Sequence, residues 1–195
     1  MIVKVCGITN GEDALAAAEA GASALGFNFY PRSPRYVQPW AARDIPSFGG
    51  VWRVGVFVDE PIEEVLRIME VAGMDVAQVY GAALPDGVRV WRARNVDATF
   101  DASELEDPAP EAFLLDAPAP GVHGGTGNVF DWSRVPTVNR KIVLAGGLDA
   151  SNVARAIAIA KPWGVDACSR LEIAPGRKDH KRVKDFIEAA MGIQI

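Results

Sequence analysis

The chain has 195 residues, 49% of them apolar and 23% charged, which fits one globular domain over residues 1–195 with a sizeable core. Its net charge of −5 supplies no basic field for nucleic acid or anionic lipid, so an anionic small molecule would need a local positive site. No apolar run approaches the roughly 18 residues of a membrane span, Lys4 interrupts the opening apolar run, and Cys6 and Cys168 make no disulfide framework, so two free thiols in a cytoplasmic protein are expected.

Ile2–Cys6 reads as a buried strand. "TNGEDALAAAEAG" follows as a helix: Asn10 can cap it, Glu12 and Asp13 suit its positive end, and Gly21 can stop it. "SALGFNF" is a second strand and "VWRVGVFV" a third. "DEPIEEVLRIMEVAG" carries Ile62, Val65, Leu66 and Met69 at helical spacing, with Pro61 placed in the first turn. "DVAQVY" and "VRVWRA" are the fourth and fifth strands, joined by "GAALPDG", which is too short for a full helix. "NVDATFDASELEDPAPE" reads as mostly irregular. "AFLLDA", "KIVLAGG" and "GVDACS" are strands six to eight. Val153, Ala156, Ile157 and Ala160 share one face of the next-to-last helix, and Val183, Phe186, Ile187 and Ala190 share one face of the last.

Eight apolar strands with crossovers imply a parallel sheet covered on both faces. The count favours closure into a compact α/β protein, a single (β/α)8 TIM barrel with shortened fourth and fifth crossovers. An open doubly wound sheet is the structural alternative.

In such barrels the chemistry sits at the C-terminal ends of the strands. Cys6, Arg35, Asp116, Gly146, Gly147, Cys168, Ser169 and Arg170 all fall on that rim. "AGGL" runs straight into a helix capped by Asp149, and "CSR" closes the eighth strand. Together they read as a phosphate cradle, although Gly-Gly alone can mark a simple turn. Asp116 breaks an apolar run. It is either a loop cap beside "GGTG" or a general acid whose pKa burial raises. Cys6 is either packing or a base charged by nearby cations, and Lys4 shares its strand parity. Arg35 offers a fork for a carboxylate or phosphate. Phe27 and Phe29 are core, or a wall for an aromatic ligand. The five tryptophans look scattered. His123 and His180 form no metal pair with the cysteines, and neither metal nor cofactor is expected.

Five stretches, in order from end to end, resemble the phosphoribosylanthranilate isomerase family of tryptophan biosynthesis. They are "KVCGIT", "GFNFYPRSPRYV", "LLDAPAPGVHGGTGNVFDW", "VLAGGLDASNV" and "GVDACSRLEIAPGRKDHKRV". The resemblance implies an Amadori rearrangement of a phosphosugar, N-(5-phosphoribosyl)anthranilate, to an aminoketose. By it, Cys6 is the general base, Asp116 the general acid and Arg35 the clamp on the anthranilate carboxylate. Gly146, Gly147, Ser169 and Arg170 align with the phosphate cradle and Asp166 with an acidic residue of the site. The family often reads "QLHG" where this chain has "QVYG", so Tyr80 takes a histidine's place. The family's "SSG" is "CSR" here, and Arg170 would add a phosphate contact. The related isomerase of histidine biosynthesis is an alternative, but it has aspartate where Cys6 stands. A non-catalytic phosphosugar-binding barrel and a thiol redox protein are others, the last lacking Cys-x-x-Cys. Cys6 and Cys168 would come together on neighbouring strands and could be linked by oxidation. A monomer is expected, with a homodimer allowed.

Overall fold

The computed structural model describes residues 1–81, 83–118 and 129–192. Eight parallel strands form a closed barrel: β1 (Ile2–Cys6), β2 (Ala24–Asn28), β3 (Trp52–Phe57), β4 (Val76–Val79), β5 (Arg89–Asn95), β6 (Ala112–Asp116), β7 (Lys141–Leu144) and β8 (Gly164–Ala167). β1 pairs with both β2 and β8, which shuts the ring. An antiparallel ribbon of β9 (Glu172–Ala174) and β10 (Arg177–Lys178) follows. Outside the barrel lie α1 (Gly11–Glu19), α2 (Pro39–Asp44), α3 (Ile62–Ala72), α4 (Val153–Ala160) and α5 (His180–Met191). Among the described residues, no helix lies between β4 and β5, and only a 3-10 turn, Ala102–Glu106, lies between β5 and β6.

Strand alternation sorts the core into two shells. Val3, Val5, Leu25, Phe57, Ala77 and Val165 pack outward against the helices. Val54, Val76, Trp91, Leu114 and Val143 fill the barrel interior. Phe27 and Phe29 belong to the outer core, and Phe29 stacks on Phe57 at 5.4 Å. Trp52, Trp91 and Trp163 are not scattered: their ring centres lie 5.8–6.1 Å apart and close the N-terminal end of the barrel interior.

Local chemistry sets the helix ends. Asn10 caps α1 by accepting from Asp13 N–H at 2.8 Å, and Gly21 takes φ +102° just beyond it. Pro61 precedes α3 rather than lying in its first turn. That helix buries Val65, Ile68, Met69 and Ala72, so its inner stripe is rotated away from the expected Ile62 and Leu66. α4 starts at Val153, not directly after Asp149. The Asp149 carboxylate instead closes a turn, accepting from Ser151 N–H at 2.8 Å.

α2 is a six-residue helix that the apolar spacing did not reveal. It is held by Arg53 on the outer face of β3. The buried guanidinium donates to the carbonyls of Ala42, Ile45, Ala72 and Gly73 at 2.6–3.2 Å, so it caps the ends of α2 and α3 together.

Candidate active site

β1 carries Lys4 and Cys6 on its inward parity, and β8 carries Asp166, with Cys168 following just past the strand's end. The ladder pairs Lys4 with Asp166 and Val5 with Ala167. Lys4 is fully buried, with Nζ 3.0 Å from Asp166 Oδ1. Burial works against its ammonium, and the charges of Asp166 and Cys6 more than offset this, holding its pKa above the usual range. Burial pushes the Asp166 carboxyl up, opposed by Lys4 and reinforced by the Cys6 charge.

Cys6 ends β1 half-buried at the C-terminal mouth. Its thiol sits well below its ordinary pKa. A hydrogen bond with Cys168 is the largest cause, burial opposes it, and the Lys4 and Lys178 charges add to it. Gly26 makes the room: a Cβ there would lie 2.7 Å from Cys6 Sγ and 3.1 Å from Lys4 Cε.

Asp116 ends β6 and is buried. Burial raises its pKa to about 6. Ala117 N–H, donating to Oδ1 at 2.8 Å, and the Tyr80 hydroxyl, donating to Oδ2 at 3.3 Å, oppose that rise, and the Cys6 charge adds to it. The mouth therefore holds a thiol shifted down and a carboxyl shifted up, the carboxyl feeling the thiolate's charge. Such a pair suits base and acid roles near neutral pH. "GGTG" and His123 lie outside the described residues.

Arg35, in the loop after β2, already has a partner. Nε reaches Glu172 Oε1 at 2.9 Å and Oε2 at 3.1 Å, and Nη2 reaches Oε2 at 2.8 Å. Lys178 Nζ joins Glu172 Oε1 at 2.9 Å. This pairing uses Nε and Nη2 of the fork, and Nη1 takes no part in it.

After β7, Gly146 and Gly147 take φ +87° and +58°. A Cβ on Gly146 would strike Ala117 N at 2.6 Å, so glycine there lets the β7 loop press against the residue after Asp116. After β8, Ser169 and Arg170 open a 3-10 turn, Ser169–Leu171. Arg170 Nη1 is bound to Asp149 Oδ2 at 2.8 Å, which joins the β8 turn to the β7 loop.

The structure thus gathers Cys6, Asp116 and Asp166 in the barrel mouth, with Gly146 and Gly147 against the Asp116 strand end and Ser169–Arg170 tied to the β7 loop. It adds Glu172 and Lys178, to which the sequence reading gave no role. The readable signal was "EIAPGRK", two short alternating runs about a Pro-Gly turn, which is a hairpin signature directly after the eighth strand. Asp13 also does more than complement a helix dipole. It accepts from Lys178 N–H at 2.9 Å and meets His180 Nε2 at 2.8 Å, which docks the ribbon and α5 on α1.

Known proteins resemble this chain along nearly its whole length. A family model described as N-(5'phosphoribosyl)anthranilate (PRA) isomerase matches residues 3–189. An N-(5'-phosphoribosyl)anthranilate isomerase of Solibacter usitatus is 50% identical over 194 residues, covering 97% of each chain. The crystal structure of phosphoribosyl anthranilate isomerase from Thermus thermophilus superposes with a TM-score of 0.90 at 35% identity, covering 100% of both chains. A structure of this isomerase in complex with reduced 1-(o-carboxyphenylamino)-1-deoxyribulose 5-phosphate gives 0.87 at 37% identity, covering 99% of this chain and 100% of that one.

Proposed function

The chain belongs to the N-(5'-phosphoribosyl)anthranilate isomerase family, and we propose that Cys6 and Asp116 carry that family's rearrangement here as base and acid. The substrate is N-(5-phosphoribosyl)anthranilate. Asp116 gives its proton to the furanose ring oxygen, and the ring opens to a Schiff base. The Cys6 thiolate removes the proton from the second sugar carbon. The enolamine that results tautomerises to 1-(2-carboxyphenylamino)-1-deoxyribulose 5-phosphate. No electrons enter or leave, so an acid, a base and two anion grips are enough.

The observation that carries this reading is the pair of opposed shifts in one mouth. Cys6 is held towards thiolate and Asp116, at about 6, retains a proton-bearing fraction near neutrality. Lys4, paired with Asp166, keeps a positive charge behind the thiolate. The phosphate is assigned to the backbone N–H groups of Gly146, Gly147, Ser169 and Arg170, since the Arg170 guanidinium is engaged by Asp149. Arg35, oriented by Glu172, is assigned to the anthranilate carboxylate. All these groups come from one chain, which suits a monomer.

The test follows substrate fluorescence with the parent, Cys6→Ala and Asp116→Asn, with circular dichroism as the check on folding. Each variant should lose on the order of 10²-fold or more in kcat. Folded variants that keep turnover within about tenfold of the parent would remove the assignment.

A further inference from the structure

Arg35 from the loop after β2 meets Glu172 and Lys178 from the ribbon at the barrel mouth. Glu172 Oε1 accepts from Arg35 Nε at 2.9 Å, Lys178 Nζ at 2.9 Å, Gly176 N–H at 3.2 Å and the Cys168 thiol at 3.9 Å. Oε2 accepts from Arg35 Nε at 3.1 Å and Nη2 at 2.8 Å. The cluster presses on the residue after Cys6: a Cβ on Gly7 would lie 2.8 Å from Arg35 Cδ and 3.4 Å from Lys178 Nζ, and Gly7 takes φ +76°.

Access sorts the three side chains. Lys178 is 0% exposed and Glu172 4%, while Arg35 keeps 12%. Lys178 also points inward: besides Glu172, its Nζ donates to the Cys168 carbonyl at 3.4 Å and lies 3.9 Å from the Cys168 sulfur. Of the three, Arg35 alone can meet a ligand, through the Nη1 side of its fork, which Glu172 leaves open. Charge then sets a condition. Burial works against the Glu172 anion, but the bonds from Arg35 and the charge of Lys178 outweigh it and hold the carboxyl below its ordinary pKa. An ionised Glu172 fixes the guanidinium and cancels its charge at the same time. Two cations against one carboxylate leave a surplus of one positive charge, and Lys178 is its source.

We propose that Lys178 is a positioning residue that sets substrate specificity without touching the substrate: it neutralises Glu172, so that Arg35 is held rigidly and still offers a positive charge to an aromatic carboxylate. The inference rests on reading Arg35 as the clamp on the anthranilate carboxylate, and it adds where the clamp's charge comes from. Arg35 also feels a negative charge on Cys6, but Lys4 stands beside that sulfur as its own counter-charge. In a half-buried mouth an uncancelled charge acts more strongly than in water. Phosphosugars of an aromatic amine that carries a carboxylate are therefore preferred over those of a neutral aromatic amine.

The test is calorimetric binding of reduced 1-(o-carboxyphenylamino)-1-deoxyribulose 5-phosphate and of the same ligand without its carboxylate. The proteins are the parent, Lys178→Met and the double variant Lys178→Met with Glu172→Gln, with circular dichroism as the check on folding. The parent should bind the carboxylate ligand about tenfold or more tighter than the other. Lys178→Met leaves Glu172 cancelling Arg35, so it should lose about tenfold for the carboxylate ligand and little for its counterpart. Adding Glu172→Gln removes the cancelling charge, keeps an acceptor for Arg35 and should restore most of that loss. A merely structural Lys178 would weaken both ligands alike, with no rescue. Equal affinities in the parent overturn the proposal, and so do parallel losses in Lys178→Met. If Lys178→Met does not fold, the double variant decides: a parent-like preference supports the proposal and a lost preference overturns it. Parent turnover of phosphoribosylanthranilate is measured alongside. Its absence with the binding pattern intact removes the functional reading and leaves the grip, whereas turnover with a flat binding pattern removes the grip alone.

Discussion

Replacing Asp116 with Asn separates what this carboxyl does for turnover from what it costs the fold. Burial raises its pKa from 3.8 to about 6, net of the bonds from Ala117 and Tyr80. Folding therefore favours the protonated acid. Below the unfolded value both states hold the proton and nothing is lost. As pH rises from about 4 to about 6, the unfolded chain releases its proton first and stability falls. Above about 6 the whole penalty is present. A lift of about two units corresponds to roughly 3 kcal/mol. Asparagine has nearly the same shape, stays neutral and keeps a carbonyl for Ala117 N–H. Asp116→Asn is therefore expected to be more stable than the parent by about 2–3 kcal/mol at alkaline pH, with the gap closing below about pH 4, while turnover collapses. Urea unfolding across this pH range, with m-values compared, measures the gap. A gap that does not change with pH, or an Asn variant less stable than the parent at alkaline pH, would refute burial as the source of the raised pKa.

Three further outcomes are expected. Tyr80→Phe removes the hydroxyl that supports ionised Asp116, so the alkaline limb of kcat/KM should move up by roughly half a pH unit; a limb that stays or moves down contradicts the assigned bond. Gly26→Ala places a methyl 2.7 Å from Cys6 Sγ, so stability should fall by about 1–3 kcal/mol and kcat should drop with KM retained, whereas wild-type kcat would show that the thiol need not be where it is. Hydrogen peroxide should inactivate the enzyme reversibly: the Cys6 thiolate attacks the O–O bond, forming a sulfenic acid and releasing hydroxide, and the Cys168 thiol then displaces water to form the disulfide. Dithiothreitol should restore activity in the parent; in Cys168→Ala the sulfenic acid has no thiol to close on, so excess peroxide carries it to the sulfinic acid, which dithiothreitol does not reduce, and undiminished activity under peroxide would exclude the linkage.

The barrel was legible because buried parallel strands are short continuous apolar runs, and all eight runs stand where strands lie. Parity along the first strand placed Lys4 beside Cys6 inside the barrel, and the pairing of Lys4 with Asp166 agrees. What the sequence did not yield depends on contacts between distant residues. α2 has no amphipathic stripe long enough to register, and it persists because Arg53 binds its C-terminal carbonyls. Trp52, Trp91 and Trp163 meet only once the ring closes. Glu172 and Lys178 look like ordinary surface charges until the ribbon folds them against Arg35 and the two thiols.

The fastening of residues 172–180 onto the start of the chain has a kinetic consequence. Thr9 Oγ1 donates to the Gly176 carbonyl at 2.6 Å, Asp13 receives Lys178 and His180, and β8 seals β1. During synthesis Cys6 emerges well before Cys168 and Lys178, two of the groups that lower its pKa. A nascent chain therefore lacks those two groups until the eighth strand and the ribbon arrive, and competence switches on only at ring closure.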